Sequence, residues 1–250
     1  MILVFAGTKE GREIANLLIQ EGYPLIVSVT DNYGKKLLPP NVMCHQGKLN
    51  QEQLAEFIVN HRINLMIDAT HPFAVEASQN AIDVCKKKHV EYIRFEREKA
   101  VLPKSPLIHL VKDFPEAARL AVTTGKRIFL TIGSKNIAVF CALAKKSKAE
   151  IVLRVLPSPG VLENCLKYLS PSRIIALQGP CSVALNKAMF QEYQTDVIVT
   201  KDSGREGGTE AKIEAALSLA IPIIIIQRPA VIYPNQVNNY QELLTKVNSL

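Results

Sequence analysis

Residues 1–20 read MILVFAGTKEGREIANLLIQ. Met1–Phe5 is an unbroken apolar run, so both faces of that strand are expected to be covered. Ala6-Gly7-Thr8 interrupts it, and Glu10–Gln20 continues as an amphipathic helix. A doubly buried strand, a glycine turn and a helix form the opening unit of a parallel α/β sheet.

The same alternation continues outward. Strands are expected at Leu25–Val29, Val42–His45, Leu65–Asp68 and Tyr92–Phe95, with helices at Gln51–Asn60 and Val75–Lys87. The pattern pauses in RFEREKAVLPKSP, which is charged and holds Pro103 and Pro106, so residues 98–106 read as a linker. It then resumes. Strands are expected at Leu107–Val111, Arg127–Thr131, Ile151–Val155, Ile174–Leu177, Asp196–Thr200 and Ile221–Gln227. Helices are expected at Phe114–Val122, Ser182–Gln191 and Thr209–Leu219, with a closing helix at Tyr240–Val247. The sequence therefore predicts an α/β protein of two Rossmann-like lobes with a cleft between them. Each lobe is a mainly parallel sheet covered by helices, and the lobes span residues 1–97 and 107–250.

Composition narrows the function. Hydrophobic residues make up 48% of the 250 and charged residues 21%, which excludes a disordered chain. Lys and Arg total 30 against 23 Asp and Glu. The first 100 residues hold 12 of each sign, so the whole excess of +7 lies after residue 100 and favours an anionic partner there. A solvated basic surface is the other reading of that excess. There is no Trp and aromatics are only 6%, which argues against nucleic acid. The 5 cysteines show no CxxC spacing, arguing against a disulfide framework or a zinc site, and no metal ligand set is expected. No apolar run is long enough to span a bilayer, so a cytoplasmic protein is expected.

Three strand-end loops carry the candidate chemistry. In the first, Gly7, Thr8 and Gly11 open a helix whose free N–H groups suit phosphate or carboxylate, although the full GxGxxG is absent. A tight structural turn explains the same residues. The second is Asp68-Ala69-Thr70-His71-Pro72-Phe73-Ala74. Asp68 and His71 suit acid–base or substrate-orienting work, or form a satisfied structural pair. The third, Thr200-Lys201-Asp202-Ser203-Gly204-Arg205-Glu206-Gly207-Gly208-Thr209, combines three glycines with two cations and reads as an anion cradle. It is not a Walker A loop. Ser134, Arg154, Arg94 and Arg97 stand at other strand ends or at the linker, and each alone also reads as surface or turn.

The chain resembles the precorrin-6A reductases of cobalamin biosynthesis, including the cobalt-precorrin form. The resemblance rests on AGTKEGREIA (6–15), SVTDNYG (28–34), DATHPFA (68–74), YIRFER (92–97), LTIGSKN (130–136), RVLPSPG (154–160), QGPCSVALN (178–186) and VTKDSGREGG (199–208). Ala6 replaces the family's usual glycine, and Cys181 its frequent phenylalanine.

The resemblance implies an NADPH-dependent oxidoreductase that reduces the C18–C19 double bond of precorrin-6A or cobalt-precorrin-6A to the 6B form. The cofactor carries the hydride, and the protein supplies position and electrostatics. Under that implication Asp68 and His71 are the catalytic candidates. Gly7, Thr8, Gly11, Lys201, Ser203, Gly204 and Arg205 would hold cofactor, and Arg94, Arg97, Thr70, Ser134 and Arg154 the many-carboxylate tetrapyrrole. Transient contact with neighbouring pathway enzymes is a further expectation, with no nucleic acid or membrane partner. Asp31, 24 residues after Gly7, stands where a ribose-binding acid would repel a 2′-phosphate, which shifts the expected phosphate site toward the second lobe. The alternatives are another NAD(P)H-dependent reductase of this build, a non-catalytic tetrapyrrole binder, and a nucleotide-sugar transferase. Turnover with pigment separates the first, and pigment binding without NADPH oxidation marks the second.

Overall fold

Ile2–Phe5 forms β1, and its side chains are buried or nearly so, as an apolar run flanked by helices requires. Residues 1–30 and 32–250 are described in this computed structural model. The chain divides into two compact units, residues 1–98 with 230–250, and residues 99–229.

In the first unit, β1 leads into α1 (Lys9–Gln20), β2 (Leu25–Val29), α2 (Asn32–Lys36), β3 (Met43–Gln46), α3 (Gln51–Asn60), β4 (Leu65–Asp68), α4 (Val75–Lys88) and β5 (Glu91–Phe95). The sheet order is β3-β2-β1-β4-β5, completed at the β5 edge by β12 (Gln236–Val237). All its pairings are parallel. One core layer packs Ile14, Ala15 and Leu18 of α1 with Val4, Val27 and Ile67 of the strands. It also takes Leu243 and Val247 of α10 (Tyr240–Asn248). The other face packs Leu54, Ile58, Ala81 and Val84 against Leu3, Ile26 and Met66.

In the second unit, β6 (Ile108–Val111), α5 (Phe114–Thr124), β7 (Arg127–Leu130), α6 (Ile137–Ser147), β8 (Glu150–Val155), α7 (Pro159–Leu166) and β9 (Ile174–Ala176) come first. They are followed by α8 (Val183–Glu192), β10 (Val197–Lys201), α9 (Thr209–Ser218) and β11 (Ile223–Ile226). The sheet order is β6-β11-β10-β7-β8-β9, again parallel throughout. Ile223–Ile226 is buried at every position, which is why four consecutive isoleucines form a central strand rather than an amphipathic one.

The expected two parallel sheets are present, but the boundary differs. The closing helix was expected to finish the second lobe, and it packs on the first. Tyr240 stacks on Phe95 at 5.1 Å between ring centroids, and Leu243 is fully buried with the α1 layer. The apolar spacing that marks a helix says nothing about which sheet it covers. The expected linker at 98–106 also packs on the second unit. Ala100 N–H donates to Asp202 Oδ1 at 3.4 Å, and Val101 N–H to Glu210 Oε1 at 3.2 Å. The helices α2 and α7, the strand β12 and the bounds of α6 were not placed from sequence.

Candidate functional site

Each sheet has a point where successive strands leave in opposite directions. In the first unit it lies between β1 and β4, and in the second between β7 and β10. Open α/β sheets bind ligands beyond the carboxyl ends of the strands at such points. Three of the loops singled out by sequence follow β1, β4 and β10.

At the first switch point, Thr8 is the N-cap of α1. Its hydroxyl accepts from Gly11 N–H at 3.1 Å and donates to Ala69 O at 2.8 Å. Gly11 is required by packing, since a Cβ there would lie 2.5 Å from Ala6 Cα. Gly7 is exposed, and a Cβ there would meet nothing within 4 Å, so the end of β1 is left open.

Asp68, 0% exposed, ends β4. Its carboxylate accepts from Arg94 Nη1 at 3.0 Å, Ser78 Oγ at 2.6 Å, Tyr92 OH at 2.7 Å and Thr70 N–H at 2.9 Å. Burial alone would raise its pKa. The Arg94 guanidinium, with the hydrogen bonds from Ser78, Thr70 and Tyr92, outweighs burial and holds the carboxyl below its usual range. Arg94, 1% exposed, also bonds Glu96 at 2.8 Å and Thr70 Oγ1 at 3.1 Å, and lies 5.1 Å from the centroid of the Tyr233 ring. This buried network fixes the start of the loop that carries His71. His71 Nδ1 accepts from Phe73 N–H at 3.2 Å, so the neutral imidazole carries its proton on Nε2.

At the second switch point the Lys201–Thr209 loop is held by its own polar groups. Thr209 Oγ1 accepts from Ser203 N–H at 3.0 Å and donates to Lys201 O at 3.2 Å, while Gly204 N–H donates to Asp202 Oδ1 at 3.1 Å. Gly204 and Gly208 take left-handed backbone at φ 71° and 69°. Gly207 is packed so closely that a Cβ would lie 2.3 Å from Ser203 Cβ. Lys201 is half-buried, and burial, followed by the charge of Lys135 after β7, lowers its pKa to about 8.

The family model for precorrin-6x reductase CbiJ/CobK matches residues 1–248. The chain belongs to the precorrin-6x reductase family. It is 38% identical to a cobalt-precorrin-6A reductase of Methanocaldococcus jannaschii, over 100% of this chain and 98% of that one. It is 36% identical to another from Priestia megaterium, over 98% and 96%. A solved structure titled CobK precorrin-6A reductase superposes with a TM-score of 0.83 at 25% identity, covering 99% of this chain and 96% of that one. As a precorrin-6x reductase the chain is an oxidoreductase of cobalamin biosynthesis. Among the described residues no helix is long and apolar enough to cross a membrane, and no group of three or more acidic, His or Cys side chains could hold a metal.

Within this precorrin-6x reductase several sequence-derived roles change. Asp68 is sealed from solvent and held ionised, so it positions the loop rather than donating a proton. Arg94 and Arg97 were expected on substrate. Arg94 is enclosed by Asp68, Glu96 and Thr70, and Arg97 Nε lies 2.9 Å from the buried Glu10 Oε1, so both serve the fold around the site. The Ser203 and Gly204 amides, expected to cradle an anion, are already bonded within the loop, which leaves its attraction for anions to the lysines. Arg205 is 80% exposed and reaches Glu210 only at 3.9 Å. The Ser134 carbonyl accepts from Asn164 Nδ2 at 3.0 Å. Arg154 is buried beside Asn186. Asp31 lies outside the described residues.

Sequence reasoning missed Lys212, Lys135, Ser78, Tyr92 and Glu96. Lys212 had a legible signal. Thr209, Lys212, Ile213 and Ala216 fall at helical spacing i, i+3, i+4, i+7, so a lysine stands on the buried face of α9.

Proposed function

We propose that this chain catalyses NADPH-dependent reduction of the C18–C19 double bond of a precorrin-6A macrocycle, with the cobalt complex as its preferred form. The names of the two relatives above support the cobalt form. The observation that carries the cofactor reading is the set of cations at the second switch point. Lys201 and Lys212 are both pulled below their ordinary pKa, first by burial and then by neighbouring positive charge. Such a donor set suits the phosphates of a dinucleotide. Lys201 and the exposed Arg205 would hold them, with Ser203 and Gly204 shaping the loop.

Bound there, NADPH supplies the hydride. The protein's own residues then orient the acceptor. Thr8 and the Asp68–Arg94 network set the two loops of the first switch point. Gly7 leaves room for close approach, and Thr70 contacts the macrocycle. His71 presents Nε2–H toward the pigment, as a hydrogen-bond donor that orients it or as the proton source that completes reduction. A cytoplasmic setting and brief contact with the enzymes that supply and remove the pigment accompany this reading.

The test is NADPH oxidation followed at 340 nm without oxygen, using precorrin-6A and its cobalt complex separately, with NADH alongside. The expected result is pigment-dependent oxidation, faster with the cobalt complex and with NADPH, giving a macrocycle two hydrogens heavier by mass. NADPH binding without oxidation by either pigment overturns the proposal.

A further inference from the structure

Arg154 and Lys212 are buried cations, 7% and 5% exposed, and neither is paired with a carboxylate among the described residues. Arg154, on β8, donates to Asn186 Oδ1 at 2.8 Å. Asn186 is itself fixed by donating to the carbonyls of Cys181 at 3.1 Å and Ser182 at 2.9 Å. Lys212, in the first turn of α9, donates to Gly207 O at 3.1 Å and so also braces the glycine loop. The charged and titratable groups that face Lys212 are Arg154 from β8, Lys201 from β10 and Cys181 from the segment before α8. Lys135, after β7, in turn faces Lys201. Four elements thus bring positive charge to the second switch point. Arg154 and Lys212 have the Cys181 side chain beside them rather than a carboxylate, so their burial is unfavourable, and an apolar residue on α9 would remove that cost. A bound anion compensates them directly.

We propose that Lys212, backed by Arg154, forms the inner wall of a site for a phosphate group and that filling this site takes up a proton on Lys212. The proposal rests on the reading that the second unit holds the phosphates of the dinucleotide. Burial, then Arg154 and Lys201, hold the Lys212 pKa at about 7, so at pH 8 the empty site is mostly without that proton. A phosphate beside the ammonium favours the charged form, and the binding equilibrium draws the proton from solvent. Phosphate is favoured over a single carboxylate because it places more than one negative charge among three convergent cations.

The test is calorimetric titration of NADP⁺ into the protein at pH 8 in two buffers of different ionisation heat, which gives the protons taken up. The wild type is expected to take up close to one proton. Lys212→Arg keeps the charge at all accessible pH. It is expected to bind NADP⁺ within a few-fold of wild type while taking up at least half a proton less. NAD⁺ alongside separates the 2′-phosphate from the diphosphate, and Lys212-dependent uptake with either supports the proposal. No uptake by the wild type, or equal uptake by Lys212→Arg, overturns it. Lys201→Met separates the two levels. A tenfold loss of NADP⁺ affinity in that variant without proton uptake by the wild type removes the Lys212 proposal alone. Unchanged affinity in both Lys201→Met and Lys212→Met removes the phosphate reading itself. Uroporphyrin III, a macrocycle with carboxylates and no phosphate, is the remaining arm. Lys212-dependent uptake with it and not with NADP⁺ assigns the site to substrate carboxylates and overturns the proposal. A thermal melt of each variant confirms the folded state.

Discussion

Thr8 donates its hydroxyl to the Ala69 carbonyl at 2.8 Å, so one side chain joins the loops that follow β1 and β4. The same oxygen caps α1 through Gly11 N–H. Thr8→Val removes both bonds with little change of shape. A loss of about 1–2 kcal/mol is expected, read by urea unfolding. Thr8→Ser should recover most of it, and a melt unchanged in Thr8→Val would show that the joint carries no stability.

Asp68→Asn leaves Arg94 buried with only Glu96 as its counter-charge. The expected cost at pH 7 is about 3–5 kcal/mol, in the range for breaking a buried pair. The sign of the pH dependence follows from the lowered Asp68 pKa. The unfolded carboxyl binds its proton more readily than the folded one, so the stabilisation is fully present above the ordinary carboxylate pKa. It is lost as pH falls through the lower folded value. Unfolding curves from pH 7 to pH 2 should therefore show wild type and Asp68→Asn converging at the acid end. A constant gap would contradict the ionised assignment.

Glycines at the two switch points should respond in opposite ways. A methyl at Gly207 meets Ser203 Cβ at 2.3 Å and its carbonyl oxygen at 2.5 Å, so Gly207→Ala must displace the loop that Lys212 braces. NADP⁺ affinity is expected to fall at least tenfold. Gly7→Ala meets nothing in the protein. Its melting temperature should stay within about a degree, an effect below roughly 0.5 kcal/mol. A raised KM for cofactor or pigment in that variant would show that a ligand approaches β1 there, and unchanged kinetics would move both ligands away from Gly7.

His71→Ala tests a titratable side chain that the first switch point leaves partly accessible. The expected outcome is a 10²-fold or greater fall in kcat, the range for a general acid, with the melting temperature nearly unchanged. A rise in KM alone would leave His71 as an orienting residue.

The strands were legible because most are short apolar runs closed by a turn, and the glycine-containing loops pointed to the carboxyl ends of those strands, while the switch points came from the strand order. The direction of side chains was not legible. DATHPFA places Asp68 and His71 three residues apart and suggests a pair. Yet Asp68 turns inward to Arg94, 26 residues on, because β5 lies beside β4 in the sheet. A spacing along the chain cannot report that pairing. Arg94 likewise reads as a ligand-binding cation until the parallel register of β4 and β5 places it opposite a buried carboxylate. The bounds of helix α6 were not legible because Ile137–Ala144 is apolar around most of its circumference and shows no clear stripe. The C-terminal return was hidden for another reason. Gln236–Val237 is a two-residue strand, too short to leave a pattern.

That return governs the order in which the molecule can be completed during synthesis. β12 pairs with β5 through Arg94 N–H to Asn235 O at 2.8 Å and Glu96 N–H to Val237 O at 2.9 Å. Tyr233, which faces the Arg94 guanidinium, arrives on the same segment. A ribosome has therefore released all six strands of the second sheet before the first sheet gains its sixth. The buried Asp68–Arg94 pair lies beside the edge that β12 covers, so the sheet made first is completed only by residues made after the whole second unit.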